Sequence, residues 1–239
     1  MNNFWQKIKH ITESLDPMER DTIVLHSLFT VLCMIVLLIP VDVPIGLRML
    51  FLVTIYNLSV PAVGLWRGYS IWVDLWLFVF ILSIFQVWPD WFLSAQLDIL
   101  VFPDDGFLKI GPVSAYMAGL WTIPLFIIVF LGLRVHERYS QNAAYGIVGL
   151  ASLLIFGASE QTLWLLPSWY AQNVAMIGHM AIYIIIPELI LGLTTYVGYQ
   201  LIQNKPSWKK ILLAFVIMLL YLGSAVFFYF VIERLLLGL

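Results

Sequence analysis

Three ionisable side chains of this 239-residue chain fall inside long apolar stretches: Asp74, His179 and Glu188. Such groups cost at least a few kcal/mol in hydrocarbon unless they are paired or functional. Glu188 is the strongest signal. It stands fourteen residues into the stretch that begins at Val174, roughly 20 Å along a helix at 1.5 Å per residue. It follows Pro187, which has no N–H and leaves the carbonyl of Tyr183 without its usual helical donor. A carboxylic acid in that setting fits two readings: a neutral group donating to the freed carbonyl, or a proton donor poised by desolvation. His179 precedes Glu188 by nine residues and points about 180° away on an ideal helix. The two therefore share a cavity only if the proline bends the chain. His179 and Tyr183, at i and i+4, share a face.

Glu160 follows Gly157, Ala158 and Ser159 at the end where the fifth and sixth stretches are joined, so it lies at a depth similar to His179. Asp104 and Asp105 can approach from the loop between the third and fourth stretches. These groups read either as an acidic vestibule or as a solvated acidic rim. Asn57, with Ser59 and Pro61, makes a polar break inside the second stretch, while Trp121, Trp164, Tyr183 and Tyr196 offer aromatic walls for an elongated apolar ligand. Asp74, four residues past Ser70, reads as a helix-end carboxylate near Arg67. The candidate set is thus Glu188, His179 and Glu160 for acid–base work, and Tyr183, Trp121, Asp104, Asp105 and Asn57 for ligand contact. Neither a metal nor a cofactor is called for.

The elements that must position these residues follow from composition. The chain is 62% hydrophobic and 11% charged, with a mean hydropathy of +0.95, which excludes a water-soluble globule. Seven stretches approach the roughly 20 apolar residues of a spanning helix: 23–40, 47–66, 71–88, 113–133, 143–159, 174–202 and 211–232. The fifth is short and can be completed by residues 160–166. The fold class is all-α, a polytopic bundle of seven transmembrane helices forming one domain over residues 21–239. Placing the N-terminus in the cytoplasm leaves only Arg48, Lys109 and Arg234 on the outer side, against nine basic residues inside. That bias fixes an N-in, C-out expectation, with a bacterial inner membrane as the expected location.

Within residues 1–20, Phe4, Trp5, Ile8, Ile11 and Leu15 recur at helical spacing, the pattern of an amphipathic helix that lies in the interface or caps the bundle. Asp16 followed by Pro17 then starts a second helix. The outer loop 89–112 mixes Trp91, Phe92, Ile99 and Phe102 with acids; so apolar a loop should lie on the outer interface or fold back over the bundle as a lid. Ser114 with Ala118, and Ala115 with Gly119, permit close helix packing.

A net charge of −2 gives no reason to expect nucleic acid. Cys33 is the lone cysteine, so no intrachain disulfide exists. Four histidines are too few for a histidine-cluster desaturase, and no lysine lies inside any stretch, which argues against a retinal Schiff base. Phosphate-binding glycine loops, nucleophile elbows and HExxH motifs are all missing. The expected partners are membrane lipids and a hydrophobic small molecule, with the oligomeric state left open.

Two segments, PDDGFLKIGPVSAYMAGLWTIPLF (103–126) and GHMAIYIIIPELILG (178–192), resemble small integral-membrane isoprenoid enzymes of the lycopene-cyclase type. In that family a proline–acid motif within a span supplies the acid. The resemblance implies the same role for Glu188, after Pro187; this chain has Leu189 where that motif carries a second carboxylate. The expected function is an intramembrane enzyme acting on an isoprenoid or other lipid. The alternatives are a proton-coupled carrier using Glu188 and His179 as a relay, and a non-catalytic assembly protein.

Overall fold

The computed structural model describes residues 15–238, so the amphipathic pattern at Phe4, Trp5, Ile8 and Ile11 lies outside the described residues. Helix α1 (Pro17–Leu38) starts where Asp16 accepts from the Glu19 N–H at 2.8 Å while the Glu19 side chain accepts from the Asp16 N–H at 3.2 Å. This reciprocal cap satisfies two donors that a helix start leaves free. Helix α2 (Ile45–Arg67) stops at Gly68, whose φ of 72° provides a left-handed turn closed by bonds to the Gly64 and Leu65 carbonyls. Helix α3 (Ser70–Phe85) runs on into α4 (Val87–Ala95). Pro89 is the third residue of α4, where a missing N–H interrupts nothing, so the span continues past the point where Trp88 and Pro89 suggest an end.

The remaining helices are α5 (Met117–Leu120), α6 (Thr122–Arg138), α7 (Gln141–Thr162), α8 (Ile185–Ile202) and α9 (Ser207–Tyr229), the last extended by a π-helical turn over Phe230–Leu236. Together they make seven spans, each long and apolar enough to cross a membrane: Pro17–Leu38, Ile45–Arg67, Ser70–Ala95, Met117–Arg138, Gln141–Leu165, Ile182–Ile202 and Ser207–Leu236. The chain is a multi-pass membrane protein. The sixth span differs most from its apolar stretch. Residues 174–181 are not helical; Met176–Ile177 (β5) pairs antiparallel with Met180–Ala181 (β6).

Two other short ladders form at the same end of the bundle. Leu100–Val101 (β1) pairs with Tyr170–Ala171 (β4), and Lys109–Ile110 (β2) with Val113–Ser114 (β3), all antiparallel. The β1–β4 ladder stitches residues 89–112 to the connection between α7 and α8. Ile99, Phe102, Val113 and Trp169 are buried there, and Phe102, Val113 and Trp169 pack in one cluster with Met49, Val53 and Val87 from the helix ends. Leu108 and Ile110 stay exposed.

The main core runs between α2, α3, α6, α8 and α9, with Trp72 set edge-on to Phe126 and Phe130. Helices approach closely at small residues, because lipid gives apolar side chains no reason to prefer protein over bilayer and packing must supply the difference. A Cβ on Gly192 of α8 would stand 1.9 Å from the Ser152 hydroxyl of α7, and one on Gly119 would stand 2.7 Å from Val53 of α2. Helix α8 is the most enclosed span and α1 the least.

Ion pairs tie the end opposite the ladders. Arg67 bonds Asp21 at 2.6 Å, with the Tyr69 hydroxyl donating to the same carboxylate at 2.8 Å. Arg134 bonds Glu19 at 3.1 Å and also reaches Asp16. Asp74 therefore does not meet Arg67. It faces α9 and accepts from Lys210 at 2.6 Å. Lys210, placed by hydropathy just outside the last stretch, is 3% exposed and inside the last helix.

Candidate functional site

Beneath the ladders the bundle encloses a cavity of about 320 Å³ onto which three carboxyl groups converge: Asp90, Glu160 and Glu188. Each comes from a different span. Glu188 is the fourth residue of α8, because the hairpin and a 3₁₀ turn over Ile182–Ile184 delay the helix start. It thus lies roughly 10 Å from the end of its span, not at mid-membrane. Pro187 is also in that first turn, where a missing N–H is tolerated best. The carboxyl group of Glu188 is buried at the positive end of the α8 dipole.

The three acids differ in their bonding. Asp90, at 2% exposure, accepts from the Trp121 indole N–H at 3.2 Å. Glu160 accepts from the Trp169 indole N–H at 3.0 Å. For Glu188 no hydrogen bond or ion pair exists among the described residues. Glu160 is close enough to both of the others to interact with them electrostatically. Among the described residues the lining carries no lysine, arginine or histidine, and apart from Ser159 its other walls are apolar or aromatic. Trp121 packs against Phe156 and Tyr221 with ring centroids 5.6 and 5.8 Å away, and Tyr183 stands edge-on to Tyr229 at 5.7 Å. Among the described residues no group of three His, Cys, Asp or Glu is gathered closely enough to hold a metal ion.

Of the residues singled out by sequence, Glu188, Glu160, Tyr183 and Trp121 line this one cavity. The other four do not. His179 sits at the tip of the β5–β6 hairpin, where Gly178 takes a φ of 65° that makes the tight turn possible. Its exposed ring stacks on Trp164 at 3.8 Å, so it shares neither a face nor a cavity with Glu188. Asp104 is exposed and accepts from the Gly106 N–H at 3.1 Å, holding its own turn. Asp105 is buried, but its carboxylate is taken by the Ser114 hydroxyl and the Phe107 N–H, and its carbonyl by Gly46 N–H at 2.9 Å. Both acids are therefore loop staples. Asn57 donates to the carbonyls of Val53 and Gly119 at 2.8 and 3.1 Å and accepts from the Trp76 indole at 3.2 Å, fastening α2 to α3 and α5.

Sequence reasoning missed Asp90, Tyr221 and Trp169. A signal for Asp90 existed: Leu82, Gln86, Asp90 and Leu93 keep a helical period across Pro89, and all four are buried. Glu233, in the π-helical turn, is 1% exposed and accepts from the Ala175 N–H at 3.0 Å, bracing the hairpin against the end of α9.

No curated protein matches the chain, and neither does any solved structure. One family match covers residues 87–232, more than half of the chain and a segment that holds all three cavity carboxyls. The chain belongs to the family described as a domain of unknown function, DUF6989.

Proposed function

We propose that this membrane protein is an intramembrane enzyme that protonates an isoprenoid-type lipid, with Glu188 as the acid. The observation that carries the reading is a buried carboxyl group without a partner among the described residues, facing an apolar cavity beside two carboxyl groups already held by indole N–H donors. An acid must keep its proton free to give; Glu188 is the one of the three not already held by a donor. Transfer of that proton to an alkene carbon breaks the π bond, forms a C–H bond and leaves a carbocation. The faces of Trp121, Tyr183 and Tyr221 suit such a charge, and the carboxylate that Glu188 becomes on giving up its proton opposes it in sign. Loss of a proton from a neighbouring carbon to a carboxylate ends the sequence, so the product is an isomer of the substrate and no co-reactant is consumed. Apolar walls keep water from intercepting the cation. The excess of basic residues at the opposite end favours a cavity in the outer half of the membrane.

The test is a comparison of wild type with Glu188→Gln in lipid nanodiscs. Lipid that co-purifies is identified by mass spectrometry and offered back as substrate. Isomerisation by the wild type and a loss of about 10²–10⁴ in rate for the folded variant are expected. Equal turnover by the two proteins refutes the acid role, and proton flux into liposomes without any change in the lipid favours a carrier instead.

A further inference from the structure

We infer that the cavity takes an uncharged isoprenoid lipid, free of phosphate, that enters sideways from the bilayer between α1 and the α6–α7 pair; this rests on the apolar-substrate reading above. Two features of the lining define the class. Its acidic side chains are the three carboxyls, and among the described residues neither a lysine nor an arginine reaches it. A phosphate or diphosphate needs a guanidinium or ammonium clamp, or a divalent ion held by clustered carboxylates. The lining has no such clamp, and no carboxylate cluster able to hold an ion exists among the described residues. A phosphorylated end would meet three carboxyl groups and no cation among the described residues. A hydroxyl, carbonyl or alkene end needs no cation.

The route follows from which walls are thick. Toward water, the cavity is crossed by the β1–β4 ladder, with Phe102 and Trp169 buried beneath it. Toward lipid, its rim is Phe29, Cys33 and Leu37 of α1, Ile123 and Ile127 of α6 and Ile155 of α7, all apolar and only half-buried. The α1 residues recur every four positions on one face. Helix α1 is the least enclosed span; its ion pairs through Asp21 and Glu19 lie at the end away from the cavity, and nearer to it the helix is held to α2 by hydrogen bonds, His26 to the Tyr56 hydroxyl at 3.0 Å and the Arg48 guanidinium to the Ile39 carbonyl at 3.2 Å. One peripheral helix therefore separates the carboxyl cluster from the membrane, and the unreacted chain of the lipid lies along that helix.

Cys33 reports on the rim without mutation. In nanodiscs, a farnesol analogue bearing a benzophenone at its far end is photo-crosslinked, the attachment site is read by peptide mass spectrometry, and geranylgeraniol or geranylgeranyl diphosphate is added as competitor. Separately, alkylation of Cys33 by N-ethylmaleimide is timed with and without geranylgeraniol. The inference expects crosslinks on residues 29–37 or 123–127, competition by the alcohol at least about tenfold stronger than by the diphosphate, and slower Cys33 alkylation under alcohol. Cys33→Trp should abolish the crosslink while the helical circular dichroism is unchanged. Equal or better competition by the diphosphate overturns the substrate class. Crosslinks confined to the peptides holding Trp121 and Glu188, with Cys33 alkylation unaffected, overturn the lateral route while leaving the apolar cavity intact. Failure of the probe to label the bundle at all overturns both the inference and the function it rests on.

Discussion

Replacing Lys210 by Met leaves Asp74 facing α9 without the cation it pairs with. The ammonium group is 2.6 Å from the carboxylate and also donates to the Lys205 carbonyl at 3.0 Å. The Lys210 side chain is 4% exposed and that of Asp74 is 24% exposed, so water replaces little of what is lost. Breaking a buried pair from one side costs about 3–5 kcal/mol. The partial exposure of Asp74 places Lys210→Met near about 3 kcal/mol, and Asp74→Leu, which strands the more buried Lys210, at about 3 kcal/mol or more. Removing both leaves no stranded charge, so the double variant should also lose about 3 kcal/mol or less, a coupling of about 3 kcal/mol. The assay is reversible unfolding of all four proteins in mixed dodecylmaltoside and dodecyl sulfate micelles, followed by helical circular dichroism. If the double variant loses the sum of the two singles, the pair is not coupled and the argument fails.

Gly192→Ala should destabilise by about 1–3 kcal/mol, since its Cβ falls 1.9 Å from the Ser152 hydroxyl; Ser152→Ala added to it should recover most of the loss in the same unfolding assay, and no recovery would place the clash elsewhere. Asn57→Leu should cost stability, about 1–2 kcal/mol for polar contacts within a membrane, yet leave photo-crosslinking in the cavity unchanged; altered crosslinking would return Asn57 to the ligand site. Burial pushes the Tyr116 hydroxyl up to about 12 from an ordinary value of 10.0. The folded chain then keeps this proton while the unfolded chain has lost it, so stability falls as pH rises from about 10 to about 12, by about 1.4 kcal/mol per unit. Tyr116→Phe should remove that part of the slope, and an unchanged slope would count against the burial argument.

Span number and rough position are legible in the sequence because hydrocarbon thickness sets a minimum apolar length, and composition along the chain meets it seven times. The same local chemistry shows the start of α1, where Asp16, Pro17 and Glu19 cap a helix without help from elsewhere. Glu188, Glu160, Tyr183 and Trp121 are legible as polar or aromatic groups where hydrocarbon is expected. Which of them meet is another matter. In a soluble helix the apolar stripe marks the face turned to the core; in a membrane helix both faces are apolar, so hydropathy does not say which one turns inward. Asp74 accordingly pairs with Lys210, 136 positions away, and not with Arg67, seven positions away. Hydropathy is equally blind to backbone state: residues 174–181 are apolar enough for a helix, but the left-handed turn at Gly178 folds them into a hairpin that carries His179 out of the site and brings the start of α8, with Glu188, up to the cavity. Asp90 joins the cluster only because α3 continues through Pro89 into α4 and the Trp121 indole, from another span, supplies its donor. Segment length and local caps are properties of neighbouring residues, and sequence determines them. The convergence of three acids on one cavity depends on the rotation and depth of three separate helices, which only their packing against one another decides.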